Sequence, residues 1–269
     1  MTADIHLHTV FSEDAEPEAT AENMILSAME KGFSVMCFTD HNDPCVKPPS
    51  MCSTFEPDDY FRVLLPLKEK YRSRIKVLIG IECGMQVHLR DHFKAMFEQY
   101  PFDYVLGSQH LVYEIDPYET FVFSRYGNEN TARHYFETIS ESLDAFDFID
   151  ALAHMDYALR YVPVPDGSLR FEYFLPEIDA VLTKLIERDT ALEFSSKGRR
   201  IVRSVDHFYE QLFQRYYDLG GRRVVFGSDA HHPDLIGEGA AEASETLRGI
   251  GFRHYTYYEM RKPADRELS

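Results

Sequence analysis

Seven short apolar runs divide this chain at intervals of roughly 30 to 45 residues, and most of them end in histidine or a carboxylate. They lie near Ile5 and over 34–39, 75–81, 104–107, 148–153, 191–194 and 224–227. This spacing arises when each strand is followed by a helix and the next strand returns parallel to it. Helix-period stripes fill the gaps. Met24, Ile25, Ala28 and Met29 make one apolar face over 21–31 before Gly32 offers a stop, and similar stretches centre on 59–71, 131–145, 173–187 and 206–218. A final extended run, 252–258, reads as an edge strand or a wrap over the exterior.

The polar residues strengthen the α/β reading, because in each unit they follow the strand: Thr39-Asp40-His41, Gly80-Ile81-Glu82, Ser108-Gln109-His110, Ala153-His154 and Gly227-Ser228-Asp229-Ala230-His231. A closed parallel barrel gathers the C-terminal ends of its strands at one mouth, whereas an open sheet would spread them out. In Asp4-Ile5-His6-Leu7-His8, strand alternation puts His6 and His8 on one face, where two imidazoles can share an ion. An isolated H-x-H is usually structural, but several strands each ending in His, Asp or Glu need partners to offset desolvation, and metal ions are the natural ones. Imidazole and carboxylate donors suit zinc, manganese or iron.

At 269 residues and 44% hydrophobic content, the chain reads as one large domain over 1–269. A net charge of -17 argues against nucleic acid and anionic membranes as partners. No run of about twenty apolar residues and no basic, apolar leader is present, which predicts a cytoplasmic protein. Cys37, Cys45, Cys52 and Cys83 lack C-x-x-C spacing and read as reduced thiols. Residues 42–56, with Pro44, Pro48 and Pro49, read as a long loop, either a lid or a connector.

The strand-end motifs, in this order and beginning with Asp4-Ile5-His6-Leu7-His8-Thr9, resemble those of the polymerase and histidinol phosphatase (PHP) family across nearly the whole chain. His154-Met155-Asp156 with Arg160-Tyr161, and Gly251-Phe252 with Arg261-Lys262-Pro263, are similar to the free-standing histidinol-phosphate phosphatases of that family. The resemblance implies a distorted (β/α)7 TIM-like barrel that holds three divalent metal ions. It implies His6, His8, Glu82 and Asp229 on the first ion, Glu82 bridging to a second held by His110 and His154, and Asp14, His41 and His231 on a third. Glu13 competes with Asp14. It also implies that arginines hold the phosphate, here Arg160 and, from the Gly198 context, Arg200 or its neighbour Arg199. Family members often carry Asn where this chain has Ser195.

The implied chemistry is phosphomonoester hydrolysis by a metal-bridging hydroxide, with L-histidinol phosphate as substrate in histidine biosynthesis and no protein nucleophile. Three divalent ions against Asp14, Glu82 and Asp229 would leave the site at about +3, attractive to a phosphate dianion despite the acidic chain. His232 is a candidate acid for the leaving oxygen. Asp4 and Asp40 read as acceptors orienting imidazoles. His88, His92, His134, His207 and His254 fall away from strand ends and read as non-ligands. The alternatives are a PHP phosphoesterase acting on another small phosphate or nucleotide, and a non-catalytic metal-binding module. The filled motif positions and the lack of an attached polymerase region favour an enzyme.

Overall fold

A computed structural model describes residues 1–44, 53–163 and 168–268. Its main sheet contains β1 (Ala3–Leu7), β2 (Val35–Phe38), the two-residue β3 (His41–Asn42), β4 (Lys76–Gly84), β5 (Tyr104–Ser108), β6 (Ala151–Leu152), β7 (Ala191–Ser195) and β8 (Val224–Gly227). The order is β1-β2-β4-β5-β6-β7-β8, with β3 extending the path by pairing β4, and every pairing is parallel. The seven main strands form a nearly closed barrel. Closure runs through a bridge between Leu7 and Ala230, where the His8 N–H donates to the Ala230 carbonyl at 2.9 Å and the Asp229 N–H to the His6 carbonyl at 3.0 Å.

The helices fall where the apolar stripes predict them. In α1 (Ala21–Glu30), Met24, Ile25 and Ala28 are buried, and the Thr20 side chain caps the first turn by accepting from the Asn23 N–H. The same correspondence holds for α2 (Pro57–Tyr71), α5 (Asn128–Ala145), α6 (Leu175–Glu187) and α8 (Phe208–Asp218). Four helices go beyond the sequence reading: α3 (Arg90–Gln99), α4 (Phe121–Tyr126), α7 (Ser196–Ile201) and α9 (Ala240–Ile250). The run at 148–153 pairs only over Ala151–Leu152, and the loop expected over 42–56 lies mostly outside the described residues. Among the described residues no helix is long and apolar enough to cross a membrane. Cys37 and Cys83 are buried free thiols.

The final extended run becomes β9 (His254–Glu259), which forms an antiparallel hairpin with β10 (Lys262–Glu267) outside the barrel sheet. Its partners sit at the N-terminal ends of barrel strands. Tyr258 stacks on Tyr104, Arg261 Nε donates to Asp150 at 2.5 Å, and Arg266 reaches Thr2 and Ser34. The hairpin therefore covers the end of the barrel opposite the histidine-rich mouth.

Candidate metal centre

Glu82, fully buried near the end of β4, stands at the middle of the mouth. Its Oε1 faces His154 Nε2 at 2.6 Å and His110 Nε2 at 3.2 Å, while its Oε2 faces His41 Nδ1 at 2.9 Å, His6 Nε2 at 3.2 Å and His8 Nε2 at 3.4 Å. Asp229 Oδ1 lies 3.4 Å from His8 Nε2, and Asp14 Oδ2 lies 2.9 Å from His231 Nε2 and 3.7 Å from His41 Nε2. The nine residues given as metal ligands from the sequence thus meet at one mouth, Glu82 with the eight others about it. Glu13 is exposed, and its N–H bonds Ser53.

The local fold explains the convergence. His6 in β1 and His8 just past its end alternate along the extended chain and put their rings 5.0 Å apart. Gly227, at the end of β8, makes room for them: a Cβ there would fall 2.4 Å from the His6 Cβ and 2.2 Å from Glu193 Oε1. Asp229 follows in a left-handed conformation (φ 56°), strained for a non-glycine residue, of the kind that clusters at functional sites.

Tautomers follow from the outer partners. His6 Nδ1 lies 2.6 Å from Glu193, His110 Nδ1 2.9 Å from Asp43 and His231 Nδ1 2.9 Å from the Asp229 carbonyl. His8 Nδ1 lies 3.0 Å from the Ser12 hydroxyl, which itself donates to Asp40. The oxygens facing His6, His110 and His231 can only accept while the acids are ionised, and the Ser12 proton is already given to Asp40. Each Nδ1 is therefore a donor, which leaves Nε2 to turn a lone pair inward whenever the ring is neutral, as a metal ligand must be. His8 Nε2, His41 Nδ1, His154 Nδ1 and His231 Nε2 are buried without a hydrogen-bond partner, although carboxylate oxygens lie as near as 2.9 Å to two of them. Buried ring nitrogens without partners are costly, at about 1–3 kcal/mol for each unsatisfied group, and carboxylates crowded against imidazoles suit a cation, a proton or a metal ion. Donor atoms within 4.8 Å of one another form the groups His6–His8–Asp229, His6–Glu82–His154, His8–His41–His231 and His41–Asp43–His110. This donor set fits divalent ions.

Electrostatics point the same way. Burial lowers the pKa of an imidazole, and it prevails at His8, with His231 and His41 adding repulsion, and at His154. At His6, His41 and His110 burial is outweighed by the carboxylates, chiefly Glu193, Glu82 and Asp43 respectively, and His110 is pushed up to about 10. The cluster draws positive charge.

A cavity of about 500 Å³ opens over these groups. Arg160, its side chain 3% exposed, reaches it with Nε bonded to Asp156 at 2.7 Å and Nη1 3.5 Å from Asp229. Lys197 is the second cation on its wall, with Nζ 3.2 Å from Asp229. Arg199 and Arg200 do not line it. They pair with Glu210 at 2.8 Å and Glu238 at 2.7 Å, so the cation beside Arg160 on this wall is Lys197, and the two arginines expected from the sequence lie outside it. In the short helix α7, Arg199, two residues past Lys197, leaves on another face; Arg200, three residues on, is drawn aside by its pair with Glu238. His232 also turns away: it accepts from the Asp234 N–H and caps the turn Pro233–Leu235.

Asp43 and Glu193 are site carboxylates absent from the sequence assignment, as is Asp156, which fixes Arg160. Glu193 had a signal, being the lone acid in the apolar run Ala191–Phe194. Asp43 follows His41 by two residues, one past the end of β3, and its carboxylate comes within 3.6 Å of the His41 ring. Asp40 acts on His8 through Ser12, but Asp4 accepts from the Ser228 and Gly237 N–H groups instead of an imidazole. Burial raises the Asp4 pKa to about 6. His88, His92, His134, His207 and His254 lie elsewhere, on helices, at the start of α8 or on β9.

Comparison with known families decides the relationship. The PHP domain family matches residues 4–197 of this chain. The chain belongs to the PHP family. A PHP relative described as a probable histidinol-phosphatase, from Clostridium acetobutylicum, is 35% identical over 237 residues, covering 88% of this chain and 89% of that protein. The histidinol-phosphatase of Lactococcus lactis subsp. lactis is 27% identical over 229 residues, covering 85% and 83%. A crystal structure of histidinol phosphate phosphatase from Lactococcus lactis, complexed with zinc, L-histidinol and phosphate, superposes with a TM-score of 0.87 over 98% of both chains at 24% identity. The distorted (β/α)7 barrel is therefore the PHP fold.

Proposed function

We propose that this PHP protein is a metal-dependent phosphomonoesterase that hydrolyses L-histidinol phosphate to L-histidinol and phosphate, with residues 1–269 acting as one catalytic domain. The observation that carries the reaction class is the ring of inward-facing imidazole nitrogens around Glu82, beneath a cavity walled by Arg160 and Lys197. The substrate rests on the histidinol-phosphatase relatives that align along most of the chain.

In this reading three ions, zinc, manganese or iron, occupy the mouth. His6, His8, Glu82 and Asp229 hold the first, Glu82 with His110 and His154 the second, and Asp14, His41 and His231 the third. Zinc in the Lactococcus structure supports that choice. Bound divalent ions lower the pKa of water to near neutrality and neutralise phosphoryl charge.

The chain's own residues do the rest. Glu193 and Asp43 fix the tautomers of His6 and His110, so that lone pairs face inward without rearrangement. Arg160, clamped by Asp156, offers a guanidinium of fixed orientation to the equatorial phosphate oxygens. Lys197 adds a second positive charge on the same wall. The burial of Arg160 and Glu82 keeps water from screening these charges.

The test is phosphate release by purified protein reconstituted with zinc or manganese, supplied with L-histidinol phosphate, nucleoside monophosphates and sugar phosphates. The histidinol ester is expected to be turned over faster by an order of magnitude or more. Equal rates across the three classes overturn the substrate, and no release from metal-replete protein overturns the enzyme.

A further inference from the structure

The cavity has a second charged feature that the metal cluster and the phosphate wall do not use. Of the acids on its wall, Asp14, Asp43 and Asp229 belong to the imidazole cluster, whereas Asp116 does not. Asp116 takes hydrogen bonds from neutral donors, the Tyr118 N–H at 2.9 Å and the Tyr157 hydroxyl at 3.2 Å, and among the described residues no lysine or arginine pairs with it. Its negative charge is left for whatever fills the cavity.

Beside it runs an aromatic wall. Tyr157 packs on His110 with ring centres 4.9 Å apart, Tyr161 on Tyr157 at 5.3 Å, and Tyr118 on Tyr161 at 5.7 Å, a ladder from the metal cluster to the opening. The segment that carries Asp116 is fixed in advance. Tyr113 and Glu114 both adopt left-handed conformations (φ 53° and 61°) in a tight turn closed by paired backbone hydrogen bonds between Val112 and Ile115. That strained turn is held by Tyr113, whose ring lies sandwiched between His134 at 3.9 Å and Tyr126 at 4.0 Å. A carboxylate held this way loses little entropy on meeting a cation.

We infer that Asp116 is the specificity-determining residue of this enzyme: it binds the ammonium group of the substrate, while Tyr157, Tyr161 and Tyr118 flank the substrate's ring. The inference rests on the reading that the substrate is an amino-alcohol phosphate. An ester placed with its phosphate at Arg160 and Lys197 has one further fully charged group, the ammonium, and Asp116 is the cavity carboxylate not engaged by the cluster. The tyrosine faces suit a flat, partly cationic ring. Asp116 takes no part in the chemical step.

The test is steady-state kinetics of zinc-loaded wild type and Asp116→Asn with three esters: L-histidinol phosphate, its analogue lacking the amine, and p-nitrophenyl phosphate. For the variant, kcat/KM toward L-histidinol phosphate should fall about 10- to 100-fold, mostly through KM, while the two amine-free esters stay within about threefold of wild type. An equal loss on all three esters, or no loss on the first, overturns the assignment. Wild type that hydrolyses all three without preferring the amine instead overturns the substrate reading. As an independent measure, product inhibition by L-histidinol should weaken in the variant while inhibition by inorganic phosphate is unchanged, and parallel weakening of both counts against the inference.

Discussion

Both ends of the barrel bury acids, and they treat them differently. At the N-terminal end, Asp103 accepts from Lys68 at 2.6 Å and from the Ile79 N–H at 2.9 Å, and Asp150 accepts from Arg261 and from the Val105 N–H at 2.8 Å. Each carboxylate there meets a permanent donor of this chain. At the C-terminal end, Glu82 and Asp14 face imidazole nitrogens, which answer a carboxylate while the ring is protonated and offer lone pairs to a metal when it is neutral. One end is complete by itself and stabilises; the other is balanced only by taking up protons or metal ions, the usual exchange of stability for function.

The contrast can be broken most directly at Glu82. Glu82→Gln is expected to lower turnover by roughly 10³-fold or more, with metal content falling in parallel. Retention of a tenth of wild-type turnover would show that Glu82 is peripheral. Glu193→Gln, one step further out, should cost about 10- to 100-fold in metal affinity or activity while the KM for substrate changes little, because it orients His6 without touching the ester.

The other end should show the mirror image. Arg261→Ala is expected to leave kcat per folded molecule unchanged and to cost about 1–3 kcal/mol in urea unfolding, since it strands the buried Asp150 carboxylate. The pH dependence has a definite sign. Burial already raises the Asp150 pKa above the ordinary carboxylate value despite Arg261, so the folded state binds that proton more tightly than the unfolded one. Its contribution is most favourable below the ordinary value and is lost as pH rises through the folded one. Removing Arg261 raises the pKa further, so the penalty should be largest at neutral pH and shrink in acid; a penalty independent of pH would assign it to lost packing against Phe97 instead. The smallest effects are expected in α7. Lys197→Ala should raise KM about tenfold, whereas Arg200→Ala, which removes an exposed pair with Glu238, should stay within about twofold in every parameter.

How much of this was legible in the sequence differs by the kind of signal. Strand ends carrying His6, His41, Glu82, His110, His154 and Asp229 could be read because a period-two run that stops at a polar pair marks both the strand and its mouth. Helix α1 could be read from its stripe. Asp43 and Glu193 left weaker traces, a lone acid on an apolar strand or two residues beyond a histidine, and needed the barrel to show what they faced. The choice among Lys197, Arg199 and Arg200 left no trace at all. Three cations on one turn differ only in the direction in which tertiary packing sets that turn, here through Gly198, where a Cβ would fall 2.4 Å from Asp156 Oδ2. The hairpin of β9 and β10 was half visible, because Lys262–Glu267 holds four charged residues with Pro263 and Ala264 and carries no apolar run.

The joint between the first and last barrel strands is narrow, a bridge at Leu7 and Ala230 reinforced by Asp4 reaching the Ser228 and Gly237 N–H groups. His6 and His8 stand on one side of that joint, and Asp229 and His231 on the other. Under the proposed assignment an ion there works as a clasp: its binding energy opposes every opening of the seam, and every opening lowers its affinity by the same factor. Loading and closure become one linked equilibrium, so scarcity of metal is felt first as a loosened seam between the two ends of the chain.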